Sequence, residues 1–433
     1  MEGKKLWNKA IKVIPGGNGL LSKRPDRYAP DIWPSYFSKA KGINIWDLEG
    51  NKYTDMAQMG IGTCILGYCD DDVDNSVKQA IDTGINTTLN CPEEVYLAEK
   101  LLELNPFAGG VKFARTGGEA MSIAIRIARA HSGKDKIAFS GYHGWHDWYL
   151  ATNLSGDKLD SHLLPGLEPK GVPKNLKDTI YPFTYNNLIE LENICSLNDI
   201  GVIVIEGARY DFPTKEFLEG ITKISKKYNI TIVVDEITSG WRLTDGGVHK
   251  LYNFTPDIAV YGKALGNGYA ISAIVGKTEV MDKAQDTFIS STFFTERVGF
   301  VAALSTINKL TSNKVWEHLS TLGEYTGNEW EKLANKHNLN IKITDFKPLI
   351  TFKFQYGDLN ASLYTLFIQE MLKKGYLASN SIYLSYSHKH VDIQKYLRIV
   401  DEVFEYIKHC IDNNNVLNAL HTKIKSEGFK RLN

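Results

Sequence analysis

The sequence predicts an α/β fold: a mostly parallel sheet sandwiched by helices, with a smaller α+β domain built from the chain ends. Three observations carry this. From about residue 90, short apolar runs rich in β-branched residues, such as 201–206 and 230–234, alternate with helical patterns. Glycine-rich turns leave several of these runs, at Thr116-Gly117-Gly118 and at Gly262-Lys263-Ala264-Leu265-Gly266-Asn267-Gly268. After about residue 310 the pattern changes to long helices flanking isolated strands.

Taken in order, residues 1–30 are turn-rich around Pro15-Gly16-Gly17-Asn18-Gly19, and 42–53 read as a hairpin turning at Leu48-Glu49-Gly50-Asn51. Residues 94–104 are helical by period, 111–114 form a short strand, and 119–131 a helix with Ile123, Ile127 and Ala130 on one stripe. Strands follow at 136–140 and 201–206, an amphipathic helix at 217–228, and strands at 230–234, 258–261 and 271–276. Helices are expected at 312–338, 363–375 and 393–413, with strands at 341–344 and 349–354. The expected division is an N-terminal segment, 1–65, packing with a small C-terminal domain, 311–433, and a large domain, 66–310, inserted between them.

Composition narrows the function. Lys+Arg and Asp+Glu are both 50, so no basic field favours nucleic acid. No run approaches the roughly 18–20 apolar residues of a membrane helix, and the N-terminus lacks the apolar core of a secretory signal. Cys64, Cys69, Cys91, Cys195 and Cys410 are scattered and odd in number, which speaks against a disulfide framework or a zinc site. A cytoplasmic protein with small-molecule partners is expected.

Four features bear on chemistry. At Phe113-Ala114-Arg115-Thr116-Gly117-Gly118-Glu119 a strand ends, two glycines turn and a helix begins, which suits a bound anion or simply a tight turn. Ser140-Gly141-Tyr142-His143-Gly144-Trp145-His146 offers Tyr142 to a planar ligand, or an aromatic loop to the core. Asp235 ends an uncharged strand where ligands bind in open α/β sheets, though it could equally cap a helix. Lys263 follows Val260-Tyr261-Gly262, and a partly buried lysine there loses proton affinity and becomes nucleophilic.

In this order, at strand ends of one sheet, these residues resemble the class III aminotransferases, fold-type I enzymes that use pyridoxal 5'-phosphate. The glutamate-1-semialdehyde 2,1-aminomutase branch is most similar. The resemblance runs from about Ile14-Pro15-Gly16-Gly17 to about Val403 and includes Thr116-Gly117-Gly118-Glu119-Ala120-Met121, Tyr142-His143-Gly144, Asp235 to Arg242, and Gly262 to Gly268. It implies that Lys263 is the Schiff-base lysine and the general acid/base, and that Asp235 pairs with the pyridinium nitrogen. It further implies that Ile237 and Tyr142 flank the ring, that Gly117 and Gly118 bind the phosphate, and that Glu206 lies near the cofactor. Thr292 is implied to reach the phosphate of a neighbouring subunit, hence a homodimer with shared sites. Where the family often has a hydroxyl residue this chain has Gly118, and Gly207 replaces a proline.

The substrate is where the chain departs from the aminomutase pattern. Lys23 and Arg24 stand out of register with the arginine expected after Gly-Gly-x-Asn. The 375–383 segment is short and lacks a glutamate, and Phe293-Phe294-Thr295-Glu296-Arg297 replaces a small-residue stretch. The leading expectation is therefore a transaminase that moves an amine from an amino acid, glutamate foremost, to an aldehyde or ketone, sugars included. The alternatives are an aminomutase and a non-catalytic pyridoxal phosphate protein; intact Lys263 and Asp235 disfavour the last. Arg24, Arg242 and Arg297 are the candidates for a substrate carboxylate, with Arg242 read as structural.

Overall fold

A computed structural model describes residues Glu2 to Phe429. The chain divides into two compact units: residues up to Asp70 together with those from His318 onward, and Asp71–Glu317.

The Asp71–Glu317 unit is built on a seven-stranded sheet. Its spatial order is Gly110–Ala114, Ser272–Gly276, Ile258–Tyr261, Thr231–Asp235, Ile200–Glu206, Lys136–Ser140 and Ile180–Pro182. Only Ser272–Gly276 runs antiparallel to its neighbours. The central strands are buried on both faces, which is why they read as continuous apolar runs instead of alternating ones. Within Ile200–Glu206, Val202 and Val204 join one core with Ala124, Ile127 and Ala128 of the helix Gly117–Ser132. Ile203 and Ile205 join a second core with Phe217, Ile221 and Ile224 of the helix Lys215–Tyr228. Period-two side-chain alternation thus feeds two helix layers from one strand.

Register fixes the chemistry. Glu206 lies opposite Asp235, and Asp235 opposite Val260, so two carboxylates reach the same sheet edge and Lys263 leaves the next strand just beyond it.

The other unit has a four-stranded sheet, ordered Phe37–Lys41, Asn44–Asp47, Lys52–Met56 and Tyr376–Ala378. The last two strands pair in parallel, joining sequence from both chain ends. A three-stranded sheet of Ile341–Ile343, Leu349–Phe354 and Ser381–Tyr383 packs with the helices Asn360–Lys373 and His390–Asp412 around Phe352, Phe367 and Phe404. Among the described residues, no helix is long and apolar enough to cross a membrane.

The expected turn-rich start is corrected: the chain opens with a helix, Glu2–Val13. The helix expected over 312–338 is found as Val315–Lys336, and a separate helix, Arg297–Ser312, ends just before it. Lys314 takes φ +45°, a left-handed conformation that no helix can run through. Elements not anticipated include the helices Asp71–Thr83, Leu188–Leu197 and Arg297–Ser312, and the strands Phe37–Lys41, Ile180–Pro182, Tyr376–Ala378 and Ser381–Tyr383.

Candidate active site

The site is assembled at the C-terminal edge of the large sheet from four turns. The first is the start of the helix Gly117–Ser132. Thr116 caps it: its hydroxyl accepts from the Glu119 amide, while the Glu119 carboxylate accepts from the Thr116 amide at 3.0 Å. That box leaves the amides of Gly117 and Gly118 pointing out of the helix start. Both positions are tight for a side chain. A Cβ on Gly117 would lie 2.9 Å from Cδ1 of Ile237, and one on Gly118 would lie 3.1 Å from Cδ2 of His146.

The second turn follows Asp235. One carboxylate oxygen accepts from the Ile237 amide (3.0 Å); the other is hydrogen-bonded to Nδ1 of His143 at 2.9 Å. His143 is buried, and its Nε2 donates to the Ser140 carbonyl (3.2 Å). The ring therefore ties the end of one strand to the carboxylate that ends another. Behind it, fully buried Glu236 accepts from both the backbone amide (3.1 Å) and Nδ1 (2.9 Å) of His249, and from the Ser239 hydroxyl. Burial alone would raise the Glu236 pKa, but the hydrogen bond and charge of His249, with Ser239, hold it below the usual glutamate value. That depressed pKa stabilises the fold above the ordinary glutamate range, and the contribution is lost as pH falls through the folded value. For Glu236→Gln we expect a loss of about 1–3 kcal/mol, the scale for leaving buried hydrogen-bond partners unsatisfied, read as a lower urea midpoint at pH 7. An unchanged midpoint would show that the pair does not hold this turn.

The third turn carries Lys263, whose φ is +39°. Its Nζ donates to the Thr238 hydroxyl at 2.7 Å. Burial first, then the nearby cations Arg209 and Arg242, lower its pKa to about 7, against the opposing pull of Glu206 and Asp235. At neutral pH a substantial share of the Lys263 amine is therefore uncharged, where an ordinary lysine is almost wholly protonated. Ile237 joins the three turns: its side chain lies against the places where a Cβ would stand on Gly117 and on Gly262.

The fourth turn places Tyr142. Its amide donates to Oε2 of Glu206 (3.1 Å), and its half-buried ring has the Arg209 guanidinium 5.3 Å from its centre. Oε1 of Glu206 pairs with Arg209 at 2.8 Å, so Glu206 acts on Tyr142 and Arg209. Nη2 of Arg209 also donates to the Thr238 hydroxyl (3.2 Å).

The structure thus draws Gly117, Gly118, Tyr142, Glu206, Asp235, Ile237 and Lys263 to one edge. Thr292 stands apart. It is exposed on the short turn Thr292–Thr295, which Arg115 holds by donating to the carbonyls of Phe293, Phe294 and Glu296. The arginines proposed for a substrate carboxylate are engaged elsewhere. Arg24 grips Asp26 through two hydrogen bonds of 2.9 Å. Arg242 is buried and donates to the Thr238 carbonyl (2.7 Å), a structural role in the turn. Arg297 binds Glu93 through two bonds of 3.0 and 2.6 Å. Sequence reasoning missed His143 as the partner of Asp235, and it missed Thr238 and Arg209. His143 stood in the aromatic loop already singled out; Arg209, three residues past Glu206, carried no local signal.

These groups fit pyridoxal phosphate. Nε2 of His146 is buried beside Gly118 with no hydrogen-bond partner among the described residues, next to the outward amides of Gly117 and Gly118. An anionic group at the helix start would satisfy all three. An amine of lowered proton affinity at Lys263 and a carboxylate at Asp235 suit an aldehyde on a basic ring.

Comparison with known proteins agrees. Residues 28–375 match the family model for aminotransferase class III. The chain is 33% identical over 420 residues to the 3-aminobutyryl-CoA aminotransferase of Cloacimonas acidaminovorans (strain Evry), covering 94% of this chain and 97% of the relative. It is 32% identical over 427 residues to the glutamate-1-semialdehyde 2,1-aminomutase of Nitrosopumilus maritimus (strain SCM1), covering 92% and 97%. Among solved structures, the FumI protein of Sphingopyxis sp. MTA144, in its PLP internal aldimine form, superposes with a TM-score of 0.86 at 23% identity, covering 98% of each chain. The chain therefore belongs to the class III aminotransferases, enzymes of fold type I that use pyridoxal phosphate.

Proposed function

We propose that the chain is a transaminase that takes an amine from an amino acid, with glutamate as donor, and delivers it to an aldehyde or ketone acceptor. The observation that supports this most is the neutral-poised amine of Lys263, 2.7 Å from Thr238 and within electrostatic reach of Asp235. Bound pyridoxal phosphate supplies an aldehyde that condenses with amines and a ring that accepts electrons. The side chains do the rest. Lys263 would hold the cofactor through Nζ, release it when the donor amine arrives, then carry the proton from the donor α-carbon. Asp235, oriented by His143, would keep a negative charge at the ring nitrogen. Ile237 and Tyr142 would flank the ring, the amides of Gly117 and Gly118 would take the phosphate, and Glu206 would steady Tyr142. Overall, the donor loses two electrons and leaves as a keto acid. The acceptor carbonyl gains them and becomes an amine, so no outside oxidant is needed.

We also propose a homodimer in which Thr292 reaches the partner's phosphate. What supports this is that Thr292 is exposed and that two phenylalanines near it in sequence, Phe288 at 87% and Phe293 at 63%, are exposed too.

The relatives include both an aminotransferase and aminomutases, so intramolecular amine transfer is the second reading. The test is a half-reaction. Mixing the enzyme with labelled glutamate should yield labelled 2-oxoglutarate in an amount stoichiometric with enzyme, and an acceptor should then restore the starting absorbance. Isomerisation of one substrate with no keto acid formed would establish the mutase instead.

A further inference from the structure

Beside the Lys263 cluster lies a cavity of about 390 Å³, bounded by the ends of the strands Lys136–Ser140 and Ile200–Glu206 and by loop residues that include His162, Thr184, Arg209, Tyr210 and Asp211. Three properties of its wall define what fits it. The first is position. Arg209 forms part of the wall and donates to Thr238, which in turn receives a hydrogen bond from Nζ of Lys263. The cavity is therefore two hydrogen bonds from the amine.

The second is charge. Glu206 and Arg209 neutralise each other across 2.8 Å. His162 accepts from the Gly141 amide at Nδ1 (3.3 Å), so Nε2 carries the ring proton, and burial lowers its pKa and keeps the ring neutral. The exposed carboxylate of Asp211 is then the one uncompensated charge among the lining residues, and it is negative. That net negative charge disfavours carboxylates and acyl phosphates there, modestly because Asp211 is open to solvent.

The third is hydrogen-bonding type. Asp211 and Glu206 can only accept, the Arg209 guanidinium only donates, and Thr184 does both. Tyr210, 40% exposed, adds an aromatic face at the cavity wall. Acceptors, donors and one aromatic face around a small volume match a ring bearing several hydroxyls.

We propose that this cavity is the acceptor subsite and that it takes a neutral, hydroxyl-rich carbonyl compound, a keto or aldehydo sugar ring, in preference to an anionic acyl compound. The proposal rests on the transaminase reading and supplies its acceptor class. A hydroxylated ring held between Tyr210 and Asp211 would present its carbonyl toward Arg209 and Lys263.

The test uses two non-reacting probes on the cofactor-loaded enzyme: methyl glucoside, neutral and hydroxylated, and glutarate, a dianion of similar size. Saturation-transfer NMR should show methyl glucoside bound, and Tyr210→Ala and Asp211→Asn should each weaken it about fivefold or more. Glutarate binding should not respond to either change. In the same variants the glutamate half-reaction should stay within about twofold of the parent, because neither residue touches the donor's chemistry. Methyl glucoside binding that ignores both substitutions, or glutarate binding that depends on them, would overturn the assignment. Absence of the glutamate half-reaction in the parent would instead defeat the donor reading; the glucoside result would still decide what the cavity takes.

Discussion

Lys263→Ala should abolish the visible absorbance of the bound cofactor and lower transaminase turnover by at least about 10⁴-fold, the scale on which removing a residue that is both nucleophile and proton carrier acts. No other described lysine can replace it by geometry, since Thr238, Asp235 and Ile237 are arranged around its Nζ and the glycine before it. The fold should survive. Burial lowers the Lys263 pKa to about 7, so in the absence of cofactor the unfolded chain binds more protons than the folded one between about pH 7 and 10.5. Stability from this group therefore rises with pH across that window, and below it the buried cation is a burden. Lys263→Ala should remove that pH dependence and leave the thermal midpoint at pH 7 unchanged or higher. A collapse of the midpoint would assign Lys263 a structural role.

Asp235→Asn should retain the cofactor yet slow turnover by about 10²–10⁴-fold, comparable to the loss of a positioned acid or base. The phosphate site proposed at Gly117 and Gly118 and the amine of Lys263 are untouched by the change. What is lost is the negative charge that His143 orients across 2.9 Å. Stopped-flow absorbance with glutamate should show the loss in the first half-reaction, with cofactor content near that of the parent. A parent-like rate would remove Asp235 from the chemistry.

Much of this was legible in the sequence because the decisive strands have a simple pattern. Thr231-Ile232-Val233-Val234-Asp235 and Ile258-Ala259-Val260-Tyr261 are buried on both faces, and a short apolar run rich in β-branched residues and bounded by turn signals reads as an inner parallel strand. Ending one run in a carboxylate and following the next with Gly262-Lys263 announces a ligand edge. The exposed strand Phe37–Lys41 has no buried residue and so leaves no apolar signature. The break between the helices Arg297–Ser312 and Val315–Lys336 turns on the single left-handed residue Lys314, against lysine's preference.

Arg209, Thr238 and His143 were hidden for a different reason. Their roles exist only through registers between distant strands: Glu206 beside Asp235 brings Arg209 to Thr238, and Ser140 near Asp235 gives His143 two partners. No periodicity encodes such a meeting. The same holds for Arg24 and Arg297, which as sequence looked available for a carboxylate and in the structure hold Asp26 and Glu93.

The central claim is that Lys263 holds pyridoxal phosphate covalently through its amine. Borohydride reduction of the purified enzyme, followed by proteolysis and mass spectrometry, tests it most directly. A pyridoxyl-phosphate mass increment on the peptide containing Lys263, and on no other lysine, is the expected result. An increment on a different lysine, or none on an enzyme that carries the cofactor, would contradict it.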